Sequence, residues 1–421
     1  MTADERGSTS ILETSAFALL VVFAFVAPWR HAIQVVPGVT IGPPIVGLLT
    51  VVWVLAVLVR GRVRRPHAFH LAFGLFTVFA AASFRWTVDS SLTAGRVWIL
   101  VYVFVLLVVA WDLLDSRDRI AIVAQALVIG VFLVGLVGIW ELIQQGEMIR
   151  QEPIGHGVNA NELARWVVLA APLAAGLLTS SERFAGTAFG YVNVAYLVAL
   201  PFMVMATGSR QGLVALGALI LLGFVAVLHR WRSISLAGRH VVASVVVLGG
   251  FVLAMRAVGT LDGFLDRLPH LTRRLDTLGG RTPIWAEGVA SIREHPLRGV
   301  GAGTYRTLTP PGMLGDPHNT FVGVAAELGL VGLAVFLVVV TIPVWVAIRG
   351  DGPSYVSAGI LLAFGLFSIV AMLYNDPLNW LLLLLVLAWH SLPATHARSG
   401  NERLSTRNRP READRVEPVP D

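Results

Sequence analysis

The sequence predicts an all-α fold: a polytopic membrane bundle of about twelve transmembrane helices, with one long extracytoplasmic loop containing short helices of its own. Three observations predict it. Of 421 residues, 56% are hydrophobic and only 14% charged, and the mean hydropathy is +0.73. A soluble chain of this length needs a larger polar surface. Apolar runs of 17 to 25 residues recur from Leu19 to Trp389, the length a helix needs to cross a hydrocarbon core of ~30 Å. Arginine in the short connections falls unevenly between two alternating sets of loops.

The expected spans are 12–28, 41–59, 68–84, 97–111, 120–141, 162–178, 187–206, 211–228, 240–258, 320–348, 355–373 and 378–392. One set of loops holds Arg60, Arg62, Arg64, Arg65, Arg117, Arg119, Arg183, Arg230, Arg232, Arg239 and Arg349; the other holds Arg30, Arg85, Arg96 and Arg150. The arginine-rich side is expected to be cytoplasmic, which puts both termini inside. The segment Met1 to Ser10 lacks a small-residue cleavage site before the apolar run, so it reads as leading into a retained first helix rather than as a signal peptide. The chain then divides into nine spans over 1–258, an extracytoplasmic loop over 259–319, three spans over 320–393, and a polar tail over 394–421 expected to be disordered.

Composition also removes chemistries. There is no cysteine, so disulfides, thiolate metal sites and cysteine nucleophiles are excluded. All 32 basic residues are arginine, a planar cation that keeps its proton. Lysine Schiff bases and a lysine-bearing phosphate loop are therefore excluded, and ATP-driven transport by this chain is not expected. The eleven histidines are scattered along the chain with no acidic cluster beside them, so neither a metal nor another cofactor is expected. A pI near 10.4 reflects loop and tail arginines, and nucleic acid is not an expected partner.

The long loop is more than a connection requires, and such loops are usually functional. Thr282-Pro283 reads as an N-cap and first helical position, with Trp285, Val289 and Ile292 as one apolar face. His295-Pro296 ends that helix, and Gly299, Gly301 and Gly303 make a flexible turn. Arg281, just before the helix start, either cradles a diphosphate together with the helix dipole or is an ordinary loop arginine, one of seven there against six carboxylates. Arg210, in Thr207-Gly208-Ser209-Arg210-Gln211-Gly212 between spans seven and eight, suits two phosphate oxygens; the alternative is an interfacial arginine snorkelling to lipid headgroups. His318, where the loop rejoins the membrane, is either a proton acceptor or part of a helix start. Asn319 beside it orients a sugar or a phosphate, or caps the helix. Asn161 and Arg165, one helical turn apart, line a cavity or cap their helix. Glu327 lies nine residues after His318, about 13 Å deeper. Flanked by Gly323, Gly329 and Gly332, it reads as a bond to a neighbouring helix.

These segments resemble the O-antigen ligase and polymerase family of bacterial surface-polysaccharide enzymes. The resemblance rests on Thr207-Gly-Ser-Arg-Gln-Gly-Leu, on Gly280-Arg-Thr-Pro-Ile-Trp with Glu294-His-Pro-Leu-Arg-Gly-Val-Gly-Ala-Gly-Thr-Tyr305, and on His318-Asn-Thr-Phe through Glu327-Leu-Gly-Leu-Val-Gly-Leu-Ala-Val-Phe336. A weaker likeness covers Gly157 to Ala164. The match runs over roughly 155–350, with the motifs in order around the large loop.

The resemblance implies a metal-independent, inverting membrane glycosyltransferase of the plasma membrane. It would move a glycan from a polyprenyl-diphosphate carrier to a glycan, lipid or protein acceptor at the extracytoplasmic face. Arg210 and Arg281 would hold the leaving diphosphate and His318 would take the acceptor proton, the three forming the catalytic set. Asn319, Asn161, Arg298 and Tyr305 are the candidate substrate-binding residues. The carrier tail would lie among membrane lipid in a groove between helices. The first 150 residues carry no matching motif and are expected to shape the acceptor site. The alternatives are a chain polymerase or protein O-glycosyltransferase of the same family, a peptidoglycan-type polymerase, or a polytopic transporter or lipid flippase. A transporter places charged groups and broken helices at the midplane of two related halves, and the sequence has no half-to-half similarity.

Overall fold

The computed structural model describes residues 3–30, 33–36, 39–145, 159–180, 186–230, 253, 256, 281–309, 315–350 and 354–392. Within them the chain is a helical bundle. The helices are α1 (Ala3–Val26), α2 (Gly42–Arg60), α3 (Ala68–Ala82), α4 (Ser90–Leu113), α5 (Arg117–Gln145) and α6 (Ala160–Ser180). They continue with α7 (Ala188–Ala206), α8 (Arg210–Arg230), α9 (Arg281–Glu294), α10 (Thr320–Arg349), α11 (Tyr355–Val370) and α12 (Pro377–His390). Eleven of the twelve expected spans coincide with these helices. The ninth span, most of the loop before Arg281 and the tail lie outside the described residues. Among the described residues eight helices are long and apolar enough to cross a membrane. A short antiparallel hairpin, β1 (Gln34–Val36) with β2 (Val39–Thr40), sits between α1 and α2; nothing in the sequence pattern announced it.

Helix starts follow local chemistry. Asp89, Asn319 and Asp376 each accept hydrogen bonds from backbone N–H groups of the first turn of α4, α10 and α12, the groups that lack an intrahelical partner. Gly61 ends α2 in the left-handed conformation at φ 69°.

Two departures from straight spans shape the molecule. The first is α12. At 14 residues it is about 21 Å long, short of a bilayer, and every residue from Pro377 to Ala388 is buried. A helix apolar all round is a buried one: Trp380 meets Phe69, Phe73 and Phe336 edge-on or tilted. The irregular segment 371–376 before it therefore lies inside protein. Its polar groups are satisfied there, as non-helical backbone at membrane depth requires. Thr320 Oγ donates to the Ala371 carbonyl and accepts from Leu373 N, and Trp380 Nε1 donates to the Tyr374 carbonyl.

The second is a break in α10 at Gly329 (φ 68°, ψ −176°). The glycine turn 295–303 docks into this break. Leu330 N donates to the Pro296 carbonyl at 2.7 Å, Val300 N to Ala326 at 3.1 Å and Gly301 N to Glu327 at 2.8 Å. The carboxylate of Glu327 accepts from Gly303 N at 2.8 Å, from Tyr305 N at 3.3 Å and from the Tyr374 hydroxyl. The turn is thus pinned rather than flexible, and Glu327 bonds both it and the segment before α12. A side chain at Gly329 would run into the Leu297–Arg298 backbone.

At the arginine-rich end, Asp112 accepts from Arg60 (2.5 Å), Trp53 Nε1 (2.7 Å) and Arg64 N (2.6 Å), while Arg60 also pairs with Glu13 at 2.6 Å. Arg64 lies over the Trp111 ring, 3.7 Å from its centroid. Arginines counted as a topology signal also staple α1, α2 and α4 together.

Candidate active site

At the other end of the bundle lies a cavity of about 430 Å³. Its wall draws on the α1–α2 link, α4, the starts of α6 and α8, the segment 316–318 and the segment before α12. Chain ends that are distant in sequence meet here because the helices alternate in direction.

His318 is in the wall. Its backbone has φ 45°, the only positive φ at a non-glycine among the described residues. Strain of this kind persists only where the surroundings enforce it, and it clusters at functional sites. Here Asp316 Oδ1 accepts from His318 N at 2.9 Å and closes the turn. Trp285 Nε1 of α9 donates to the Pro317 carbonyl at 2.6 Å, which fixes the start of α9, and with it Arg281, beside this turn. Burial lowers the His318 imidazole below its ordinary value; Asp316 opposes the shift and the Arg281 charge adds to it. Burial likewise lowers the half-buried Arg281 guanidinium, and the charge of Arg210 lowers it further against Asp316. Arg281 therefore lies within electrostatic reach of both His318 and Arg210. Both arginines are just outside the cavity wall, and Arg210, the first residue of α8, is exposed.

Of the other expected residues, Asn161 lines the cavity and accepts from Ser209 Oγ at 2.8 Å, tying the turn before Arg210 to α6. Asn319 is buried, and its side-chain oxygen caps α10 through Phe321 N and Val322 N, both at 3.0 Å. Tyr305 is 1% exposed and donates to the Ile284 carbonyl at 2.6 Å, so it packs α9 onto α10 away from the wall. Arg298 stands over Trp86 at 6.0 Å, its carbonyl accepting from Trp86 Nε1, beside the docked turn and also away from the wall. Helix α9 begins at Arg281 rather than after Thr282, and its buried face is Ile284, Gly288 and Ser291. Tyr305 and Val322 press on Gly288, so the helix turns this side, and not the Trp285–Val289 side, toward the bundle.

The sequence did not point to a four-charge cluster in the same wall. Asp376 accepts from Arg30 at 2.7 Å, Arg165 at 3.0 Å, Trp166 Nε1 at 3.1 Å and Leu378 N at 3.0 Å. Arg30 also pairs with Glu162 at 2.5 Å. The buried carboxylate is thus matched by two guanidinium charges and two further hydrogen-bond donors. Only Arg165 carried a signal, its helical spacing from Asn161; Arg30 and Asp376 are 346 residues apart.

Residues 195–337 match the protein family described as O-antigen ligase. The chain is 30% identical over 173 residues to the O-antigen ligase of Pseudomonas aeruginosa, an alignment covering 40% of this chain and 38% of that protein's length. The matched stretch runs from α7 into α10 and takes in Arg210, Arg281 and His318, and over it the chain is similar to the O-antigen ligase family.

Proposed function

We propose that the chain transfers a glycan from a polyprenyl-diphosphate carrier to an acceptor hydroxyl at the extracytoplasmic face of the plasma membrane, with both termini cytoplasmic. What supports this reading is that Arg281 lies within electrostatic reach both of Arg210 and of His318, which stands in the wall of a cavity at the arginine-poor end of the bundle.

A lowered pKa leaves the His318 imidazole neutral near pH 7, and a neutral imidazole can take a proton. The acceptor oxygen attacks the anomeric carbon as the bond from that carbon to the diphosphate oxygen breaks. The acceptor proton passes to His318, and the bonding electrons leave with the diphosphate. Arg281 and Arg210 neutralise the charge that develops there, stabilisation aimed at the transition state. Such a direct displacement inverts the anomeric centre, and the two guanidinium groups supply the positive charge that a cation would otherwise bring.

The test is turnover by the purified chain, given a polyprenyl-diphosphate oligosaccharide and a glycan acceptor. His318→Ala is expected to lower kcat by about 100-fold or more, as loss of a general base does. Arg281→Ala is expected to lower kcat/KM. Wild-type rates in both variants would reject the assignment.

A further inference from the structure

At the opposite, arginine-rich end, the arginines of the α2–α3 link divide into two kinds. Arg60 and Arg64 are engaged by the protein. Arg60 pairs with Asp112 and Glu13. Arg64, over the Trp111 ring, donates to the Trp111 and Leu114 carbonyls at 3.0 and 2.9 Å. The link backbone is held as well: Arg64 N donates to Asp112, Trp111 Nε1 to the Arg65 carbonyl and Arg60 Nε to the Arg62 carbonyl. On this fixed scaffold Arg62 and Arg65 are exposed and have no carboxylate partner among the described residues. Asp115, at the same end, pairs with Arg119.

A third unmatched arginine reaches this level from α10. Helices α3 and α10 pack in opposite directions, Phe79 against Gly332 and the Phe76 and Phe336 rings 5.7 Å apart. Nine residues toward the arginine-rich end, Phe76 leads to His67 and Phe336 to Trp345, an equal helical rise of about 13.5 Å. Arg349, one turn beyond Trp345, is therefore level with the Arg62–Arg65 link. It is exposed, forms no ion pair among the described residues, and stands over Trp345 with 3.8 Å to the ring centroid. A guanidinium over a ring keeps its in-plane N–H donors for an anion.

The flanks of this seam are apolar. Ile348 is 74% exposed, Leu71 68% and Trp345 55%. Unpaired arginines beside exposed aliphatic groups and a tryptophan suit the boundary between lipid headgroups and acyl chains, rather than a face turned to water and a soluble acidic partner. We propose that the α3–α10 seam, through Arg62, Arg65 and Arg349, binds an anionic phospholipid and prefers a headgroup with two phosphates. The forks donate to the phosphate oxygens, and the acyl chains lie along Leu71 and Ile348. Basic pockets between membrane helices take such headgroups. The proposed topology decides only which leaflet supplies the lipid, and binding is measured without glycan transfer.

The experiment is native mass spectrometry of the full chain in detergent, titrated separately with tetraoleoyl cardiolipin, dioleoylphosphatidylglycerol and dioleoylphosphatidylcholine. Cardiolipin is expected to bind roughly tenfold or more tighter than phosphatidylcholine, with phosphatidylglycerol between them. Arg62→Gln, Arg65→Gln and Arg349→Gln are each expected to weaken cardiolipin binding about fivefold. Arg119→Gln, which removes an arginine already paired at the same end, is expected to leave it unchanged. Equal binding of cardiolipin and phosphatidylcholine, an undiminished preference in the triple variant, or an equal loss in Arg119→Gln overturns the proposal. Displacement of cardiolipin by an equal concentration of inorganic pyrophosphate would assign the arginines to a soluble anion and overturn it too. A chain that transfers glycan yet fails these criteria sinks this proposal alone; one that meets them but transfers nothing sinks only the proposed function.

Discussion

Replacing Gly329 by alanine tests how the 295–303 turn is held. Gly329 sits at φ 68°, ψ −176°, a region open essentially to glycine alone, where another residue costs about 1–3 kcal/mol. Alanine escapes the strain by returning α10 to a continuous helix, but the backbone of Leu297 and Arg298 occupies the space the new methyl needs. The docked turn then gives up the bonds from Leu330 N, Val300 N and Gly301 N, each worth about 0.5–1.5 kcal/mol net. Straightening recovers part of this as intrahelical bonds. The expected loss is about 2–4 kcal/mol in local opening free energy, which accelerates exchange by roughly 30- to 1000-fold. The assay is amide hydrogen exchange at Val300, Gly301 and Leu330 in detergent. The control is Gly365→Ala on α11, where an added methyl meets nothing and a helical alanine is favourable by up to about 1 kcal/mol. Wild-type protection of those three amides in Gly329→Ala would refute the docking argument.

Three other outcomes follow from the geometry. Asp316 holds the His318 imidazole up against burial and Arg281, so Asp316→Asn lowers that pKa further. The acid limb of kcat/KM, which reports the base in the free enzyme and lies below pH 6.5 in the wild type, should move to lower pH; a shift to higher pH contradicts the assignment of His318 as the base. Because the His318 pKa is depressed, the unfolded chain binds more protons below pH 6.5, and this group's stability contribution is lost from there down to the folded pKa. Asp376→Asn leaves Arg30 and Arg165 short of a buried counter-charge and is expected to destabilise by about 3–5 kcal/mol; an unchanged thermal midpoint in detergent would show the cluster to be dispensable. Tyr305→Phe removes the second hydrogen bond on the Ile284 carbonyl, at a cost of about 0.5–1.5 kcal/mol, with substrate KM unchanged; a raised KM with unaltered stability would return Tyr305 to the binding site.

The helices were legible because twenty-residue apolar runs have few other solutions, and the arginine asymmetry separates the two ends that the structure keeps apart. His318, Arg281 and Arg210 stood out as polar groups next to helix starts, and their order around the long loop made them a set. What the sequence hid were contacts between distant segments. Leu381 to Leu387 look the same whether they face lipid or protein, so the enclosure of α12 could not be read from them. Arg30 looked like one loop arginine among others because its partners, Glu162 and Asp376, lie far along the chain. Arg298 and Tyr305 fell within a recognisable motif, but the glycines beside them turn both toward packing contacts. Asn319 illustrates the opposite difficulty: capping and ligand contact use the same amide, and only coordinates show that its oxygen serves α10.

The enclosure of α12 has a consequence for how the molecule is made. The helices that wrap this post are all synthesised before it, so they enter the bilayer around a centre that has not yet arrived. Their inward faces, Phe69, Phe73 and Phe336 among them, must wait in lipid or against one another. Final closure belongs to the last described helix off the ribosome, and a chain stopped short of Pro377 would insert and still be hollow.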